Sequence, residues 1–283
     1  MKICVVGLGI IGASICKSLK RNGVVCDGWD VSPSVLEYAL KNSVIKDKSD
    51  NFALYDMVFI ALPPEATINF INNASFKDGA TVCDICGVKG CIEDAVYARK
   101  RNFNYVGAHP MAGKEVSGIE NSSENLFDRA SMIVTVCNKT DGNALSEVKE
   151  LIKLMGFKYY VECSAETHDK KIAYTSQLAH IVSSAYVKNP ELDGCNRFTG
   201  GSFQDMTRIA GVDERVWSEL YIKNAENLSE NIGRLIVSLQ NLKDAIDNKD
   251  AENLKKLLKD GAVLFAENNK NLPQNGIYVE NLK

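Results

Sequence analysis

Residues 7–12 read Gly-Leu-Gly-Ile-Ile-Gly, and their setting restricts the fold more than anything else in the chain. Ahead of them, 2–6 is a short apolar run of strand character. Behind them, 13–21 has the period of an amphipathic helix. A strand that turns on glycines directly into a helix opens a parallel βαβ unit. Each glycine has its own task there: Gly7 permits the tight turn, Gly9 lets backbone approach a pyrophosphate, and Gly12 permits close packing of helix on strand. Ile10 and Ile11 then lie at the helix N-terminus, where free N–H groups and a partial positive charge favour phosphate. Asp30 ends the second strand 18 residues beyond Gly12, placed to bond both ribose hydroxyls and to repel a 2′-phosphate. That arrangement favours NAD as cofactor, with Leu62 and Pro63 after the third strand bordering its adenosine or nicotinamide side. A glycine turn without a ligand is the competing reading.

The first half continues the same alternation. Strand-like runs recur at 24–29, 57–62, 80–85, 105–108 and 131–136, with amphipathic stretches at 33–41 and 91–100 between them. A helix at 143–155 and a strand at 158–161 close this part. The pattern predicts an α/β domain over residues 1–163, built on a mostly parallel, doubly wound sheet. From Ser164, a suitable N-cap with Glu166 in the first turn, apolar residues recur at helical spacing instead. Further helices are expected over 214–239 and 242–265, with the tail from Leu272 polar and frayed or draped over the surface. This second, all-α domain, 164–283, has long apolar stripes and no sheet to wrap, so a dimer interface is expected to bury them.

His109 stands in the segment Gly107-Ala108-His109-Pro110-Met111-Ala112-Gly113 of a chain with three histidines. Pro110 forces the residue before it into extended backbone and is expected to end the strand there. His109 is then on a strand-end loop facing the crevice where open α/β sheets take ligands. A neutral imidazole in that place is a candidate catalytic base, with a histidine packed in a turn as the competing reading. Ser176 and His180 lie four residues apart and share a face of the helix expected from Ser164. Further on, 200–208 sets the pair Gly200 and Gly201 close to Arg208, a side chain suited to bidentate capture of a carboxylate. Singly, His180 also reads as a core histidine and Arg208 as a surface ion pair.

Together these segments resemble the prephenate/arogenate dehydrogenase family of tyrosine biosynthesis. The resemblance is carried by the glycine fingerprint, by Asp84-Ile85-Cys86-Gly87-Val88-Lys89, by the segment His109 to Gly113, by Ser176 to His180 and by Asp205 to Ala210. It runs through almost the whole chain and implies an N-terminal Rossmann domain joined to a helical dimerisation domain, as a homodimer. The implied reaction passes a hydride from C4 of a cyclohexadienol to NAD, after which the ring loses its carboxylate as CO2 and becomes aromatic. Prephenate would give 4-hydroxyphenylpyruvate; arogenate, the alternative substrate, would give tyrosine. By the same resemblance His109 takes the hydroxyl proton and Arg208 holds a substrate carboxylate. Ser176, His180, Gly201 and Gln204 would line the same pocket, whereas His168 is read as structural. Three positions depart from the commoner family pattern. Gly87 replaces a serine whose hydroxyl would bond the substrate or His109, and Gln177 stands where a second histidine is frequent. Gln204 stands where lysine often occurs, which leaves keto-acid and amino-acid substrates unseparated. A β-hydroxyacid type of dehydrogenase would instead depend on an interdomain lysine where this chain offers His180. A nicotinamide-sensing binding protein would need neither His109 nor Arg208.

Composition narrows the partners. Lys and Arg number 33 against 36 Asp and Glu, a formal net charge of −3, and basic residues cluster only briefly, as at 99–101. No nucleic-acid or membrane-surface partner is expected from that balance. No run approaches the roughly 18 apolar residues of a membrane span, and a cytoplasmic location is expected. Nine cysteines in a reducing compartment read as buried small hydrophobes. Cys83 and Cys86, the one Cys-x-x-Cys pair, are expected neither to cycle nor to bind zinc, and no metal site is expected elsewhere.

Overall fold

A computed structural model of the chain describes residues 1–114, 116–268 and 277–282. Strands β1 (Ile3–Val6), β2 (Asp27–Trp29), β3 (Met57–Ile60), β4 (Thr81–Asp84) and β5 (Asn104–Pro110) run parallel, in spatial order β2-β1-β3-β4-β5. Between them lie helices α1 (Ile10–Arg21), α2 (Pro33–Lys41), α3 (Pro64–Asn73) and α4 (Gly90–Tyr97). Along β1, Ile3 and Val5 join one apolar layer while Cys4 and Val6 join the other, and all four are buried. A parallel sheet covered on both faces requires apolar residues at both parities, which is why these strands read as continuous apolar runs. Because β2 and β3 lie on opposite sides of β1, the chain opens a crevice at the carboxyl end of β1, where the glycine loop sits.

Past β5 the sheet changes direction. Strand β6 (Ser131–Thr135) pairs antiparallel with β5, and β7 (Tyr159–Cys163) lies parallel to β6 after helix α5 (Gly142–Leu154). The expected end of β5 before Pro110 is corrected here: the strand runs through His109 and Pro110, which pair with Ile133 and Met132. Proline lacks a donor but occupies the last ladder position, and the Met111 N–H resumes bonding to the Ser131 carbonyl at 2.8 Å. Pairing with β4 stops earlier, at Gly107 opposite Asp84. His109 is therefore a strand residue overhanging the end of β4, not a loop residue.

In the second half, α6 (Ala165–Ile172) starts where expected, with the Ser164 hydroxyl accepting from the Thr167 N–H. One π-helical turn, Ala173–Gln177, joins it to α7 (Leu178–Tyr186). Then come α8 (Gly201–Thr207), α9 (Glu214–Lys223), α10 (Ala225–Asp247) and α11 (Ala251–Asn268). The single helix expected over 214–239 is broken at Asn224, whose buried amide donates to the Asp169 carbonyl and to Gln177 Oε1, each at 2.8 Å. The next expected helix starts later, at Ala251, because 242–247 complete α10 and Lys249 turns the chain at φ +52°. Part of the tail also departs from expectation. Strand β8 (Tyr278–Asn281) pairs antiparallel with β7 as the eighth strand of the sheet, pinned by Lys149 donating to Glu280 Oε2 at 2.5 Å. Four residues are too short a run to show a period; residues 272–276 of the expected tail lie outside the described residues.

Candidate active site

The glycine loop is built as its spacing requires. Gly7 has φ +84°, and a Cβ there would lie 2.5 Å from the Ala61 carbonyl oxygen. At Gly12 a Cβ would lie 1.9 Å from the Gly7 carbonyl oxygen, so α1 packs down on the turn. Gly9 differs: it is exposed, with nothing within 4 Å of its Cβ position. It is also the N-cap of α1, which has no side-chain cap and no acidic residue in its first turn, and Ile10 and Ile11 begin that turn half-buried. The N–H groups at this end are thereby left for an anion. Asp30 is fixed beside the loop, its Oδ2 accepting from the Leu8 N–H at 2.8 Å and its Oδ1 from the Ser32 N–H at 2.9 Å. The Leu62 side chain packs against Gly7, and Pro63 follows it exposed at the start of α3. An open glycine, an uncapped helix end and a carboxylate at the end of β2 fit a dinucleotide.

A cavity of about 410 Å³ opens between the sheet and the helices. His109 and Met111 line it from the β5 side, Gly87 from the loop after β4, and Ser176, His180 and Trp217 from the helices. Burial, reinforced by His168 and the Lys89 ammonium, holds the His109 pKa well below the ordinary imidazole value. Across the cavity, His180 Nδ1 donates to the Ile209 carbonyl at 3.0 Å, and its ring rests against Trp217 with centroids 3.8 Å apart. The π turn alters the helix path that a simple i, i+4 reading assumes, yet Ser176 and His180 both reach the cavity. Gln177, largely buried, also lines the cavity and donates to the Leu220 carbonyl at 3.3 Å.

Beneath His109 lies a charged cluster whose role the run Asp84 to Lys89 does not reveal by itself. Lys89 is fully buried, pairs with Asp84 Oδ1 and donates to the Ala108 carbonyl at 2.6 Å. Asp84 in turn accepts from the Cys86 N–H at 2.9 Å and from the Tyr105 hydroxyl at 2.6 Å. The cluster thus ties the peptide preceding His109 to the loop that carries Gly87. His168, read from sequence as structural, lies 2.9 Å from His109 (Nε2 to Nδ1), and its own Nδ1 lies 2.7 Å from Asp169 Oδ1. A His-Asp pair in the helix after the last predicted strand, in a chain with three histidines, was the available signal. Burial pushes the Cys86 thiol up to about 12 and the Cys83 thiol higher still, so both stay protonated.

The third predicted group is placed elsewhere. Gly201, Gln204 and Arg208 are exposed on or at the end of α8, a helix that packs on α7, and they are not among the residues lining this cavity. The shared lining expected for Gly201 and Gln204 is corrected accordingly. The carbonyl of Ile209, next to Arg208, is nonetheless the one bonded by His180.

A dinucleotide cradle in a doubly wound sheet, with a neutral-held histidine in a cavity closed by a helical domain, defines a two-domain dehydrogenase. Comparison with known proteins narrows the class. The profile for the nucleotide-binding domain of prephenate dehydrogenase matches residues 15–161, and that for its dimerization domain matches 164–260. The chain belongs to the prephenate dehydrogenase family. Prephenate dehydrogenase of Bacillus subtilis is 30% identical over 272 residues, covering 91% of this chain and 73% of that protein. Among solved structures, prephenate dehydrogenase from Aquifex aeolicus in complex with hydroxyphenyl propionate and NAD+ matches at a TM-score of 0.80 and 31% identity, covering 94% of this chain and 98% of that one. Arogenate dehydrogenase from Synechocystis matches at 0.77 and 26% identity, covering 94% and 99%.

Proposed function

We propose that this chain oxidises prephenate to 4-hydroxyphenylpyruvate with release of CO2 and NADH, in the tyrosine branch of aromatic amino-acid synthesis, as a cytoplasmic homodimer. The observation that carries this reading is the His109 imidazole, held neutral in the cavity between the dinucleotide cradle and the helices. The division of labour falls at residues 163 and 164. On the sheet side, Gly7, Gly9, Ile10, Ile11 and Gly12, with Asp30, Leu62 and Pro63, hold NAD. When bound, the nicotinamide supplies the hydride acceptor.

His109 takes the proton of the substrate hydroxyl as hydride leaves the same carbon, so a carbonyl forms without a free alkoxide or a free cation. A base of this kind contributes about 10²–10⁴-fold. The resulting keto acid has its carboxylate positioned for loss as CO2 with ring aromatisation as the driving force. After the first proton transfer the side chains therefore have only to hold the molecule. Ser176 and His180 do so inside the cavity. Arg208, with Gly201 and Gln204 on α8, captures a carboxylate at its mouth, a role supported by the bond from His180 to the neighbouring Ile209 carbonyl. Dimerisation is supported by the apolar side chains that α10 and α11 leave in solvent, Ile236, Val237, Leu264 and Phe265, each more than half exposed.

The test is NADH formation with prephenate and with arogenate in parallel, using NAD and then NADP. Prephenate with NAD is expected to turn over fastest. Faster turnover of arogenate would reassign the substrate, and no turnover of either would sink the reading.

A further inference from the structure

His109, His168 and Asp169 form a chain of hydrogen bonds in which each proton can be placed. A carboxylate accepts only, so the proton in the 2.7 Å contact between His168 Nδ1 and Asp169 Oδ1 belongs to His168. A neutral imidazole carries one N–H, which leaves His168 Nε2 as an acceptor. The proton in its 2.9 Å contact with His109 then sits on His109 Nδ1. His109 Nε2 is left with its lone pair, on the side of the ring nearest the Gly87 position at the cavity wall, 3.7 Å from where a Cβ would stand.

We propose that His168 and Asp169 are positioning residues that lock His109 in the Nδ1–H tautomer, so that its Nε2 is a standing proton acceptor. This rests on the reading of His109 as the base. The lock has its own anchorage. Asp169 Oδ1 also accepts from the Lys89 N–H at 2.9 Å, and Oδ2 from the Gly90 N–H at 2.8 Å, so the carboxylate caps the N-terminus of α4. Its backbone carbonyl is held by Asn224 at 2.8 Å. Burial opposes the charge on Asp169, but the His168 bond and the two amides outweigh it and keep the carboxylate ionised. Lys89, fully buried against Asp84, faces the pair from the sheet side and disfavours a second positive charge on either ring.

The base and its orienting partners come from different halves of the chain. His109 belongs to β5, whereas His168 and Asp169 belong to α6 and reach back onto α4. A defined acceptor at Nε2 is thus a product of docking the helices onto the sheet. When Nε2 takes the substrate proton, the Nδ1–H stays in place and donates to His168, whose own N–H points at the carboxylate. The new charge is stabilised along the chain without a second proton transfer.

The experiment is ¹⁵N NMR of enzyme labelled on histidine, its three histidines assigned by single substitutions, at a pH where all are neutral and with no substrate present. His109 is expected to carry its proton on Nδ1 in the unsubstituted enzyme and to move toward the Nε2–H form in His168→Phe. In parallel, His168→Phe and Asp169→Asn should lower kcat by about 10- to 100-fold with KM changed by less than about threefold, a split that general loosening of the fold would not give. A His109 proton on Nε2 in the unsubstituted enzyme would overturn the proposal, as would an unchanged kcat in folded His168→Phe. Because the tautomer is read without turnover, failure to oxidise prephenate would strike the functional reading alone.

Discussion

The sheet and the C-terminal helices treat the same kind of residue in opposite ways. All four residues of β1 are buried between two helical layers. Helix α10 buries only Leu228 and Ala245 of its 23 residues, and α11 buries none of the 18 it spans. Both regions have ample apolar side chains, so the difference is one of geometry: a sheet wrapped by its own crossovers finishes its core, while two long helices side by side cannot. The sheet carries its stability within one chain. In the proposed dimer, the helices draw part of theirs from another surface.

That contrast can be broken or sharpened by substitution. The largest effect is expected at Lys89, whose removal strands the Asp84 charge in the sheet domain. Lys89→Met should cost about 3–5 kcal/mol in chemical unfolding, as for other broken buried pairs, and a loss below about 1 kcal/mol, the range of surface pairs, would show that the pair is not sealed from water. Ile236→Glu, on the exposed stripe of α10, should do the reverse. It should weaken self-association about tenfold or more in sedimentation while leaving the unfolding of the sheet domain nearly unchanged, since an interface residue of this size buries about 1.5–3 kcal/mol of apolar surface. An unchanged dimer would remove that stripe from the interface.

A smaller effect concerns pH. His109 is held below its ordinary pKa by burial, His168 and Lys89, so in the window between its native value and about 6.5 the unfolded chain binds more protons than the native one. This residue's contribution to stability is accordingly complete above that window and lost as pH falls through it. His109→Asn should flatten the acid slope of the unfolding curve, and an identical slope would mean that the imidazole titrates normally. The smallest effect is expected at Gly87. A Cβ there would meet Leu220 Cδ2 at 3.3 Å, a methyl that has to give slightly, and would place a serine hydroxyl close to His109 Nε2. Gly87→Ser should change kcat by less than about tenfold, the range of one neutral hydrogen bond. A larger gain would mean that the His168 lock leaves the base poorly oriented.

What was legible in the sequence follows the same divide. The glycine loop, Asp30 and the strands of the sheet domain were readable because their requirements are local: a turn that only glycine makes, a run buried on both faces, an acid at a strand end. His109 was found for its setting, although Pro110 proved compatible with the last position of a strand that β6 supports. The break at Asn224, the strand β8 and the His168–Asp169 contact were not legible, because each depends on partners far along the chain. Asn224 leaves the helix for a carbonyl in α6, β8 answers β7, and His168 acquires its meaning only when α6 lands beside β5. Placing Gly201 and Gln204 in the lining failed for a related reason: position on a motif does not say which surface a short helix rests on.

The central claim is that His109 is the proton acceptor in the oxidation of prephenate, and steady-state kinetics of His109→Asn test it most directly. With NAD and prephenate saturating, kcat should fall by at least about 10²-fold while prephenate and NAD still bind. A folded His109→Asn enzyme that kept the unsubstituted kcat would contradict it.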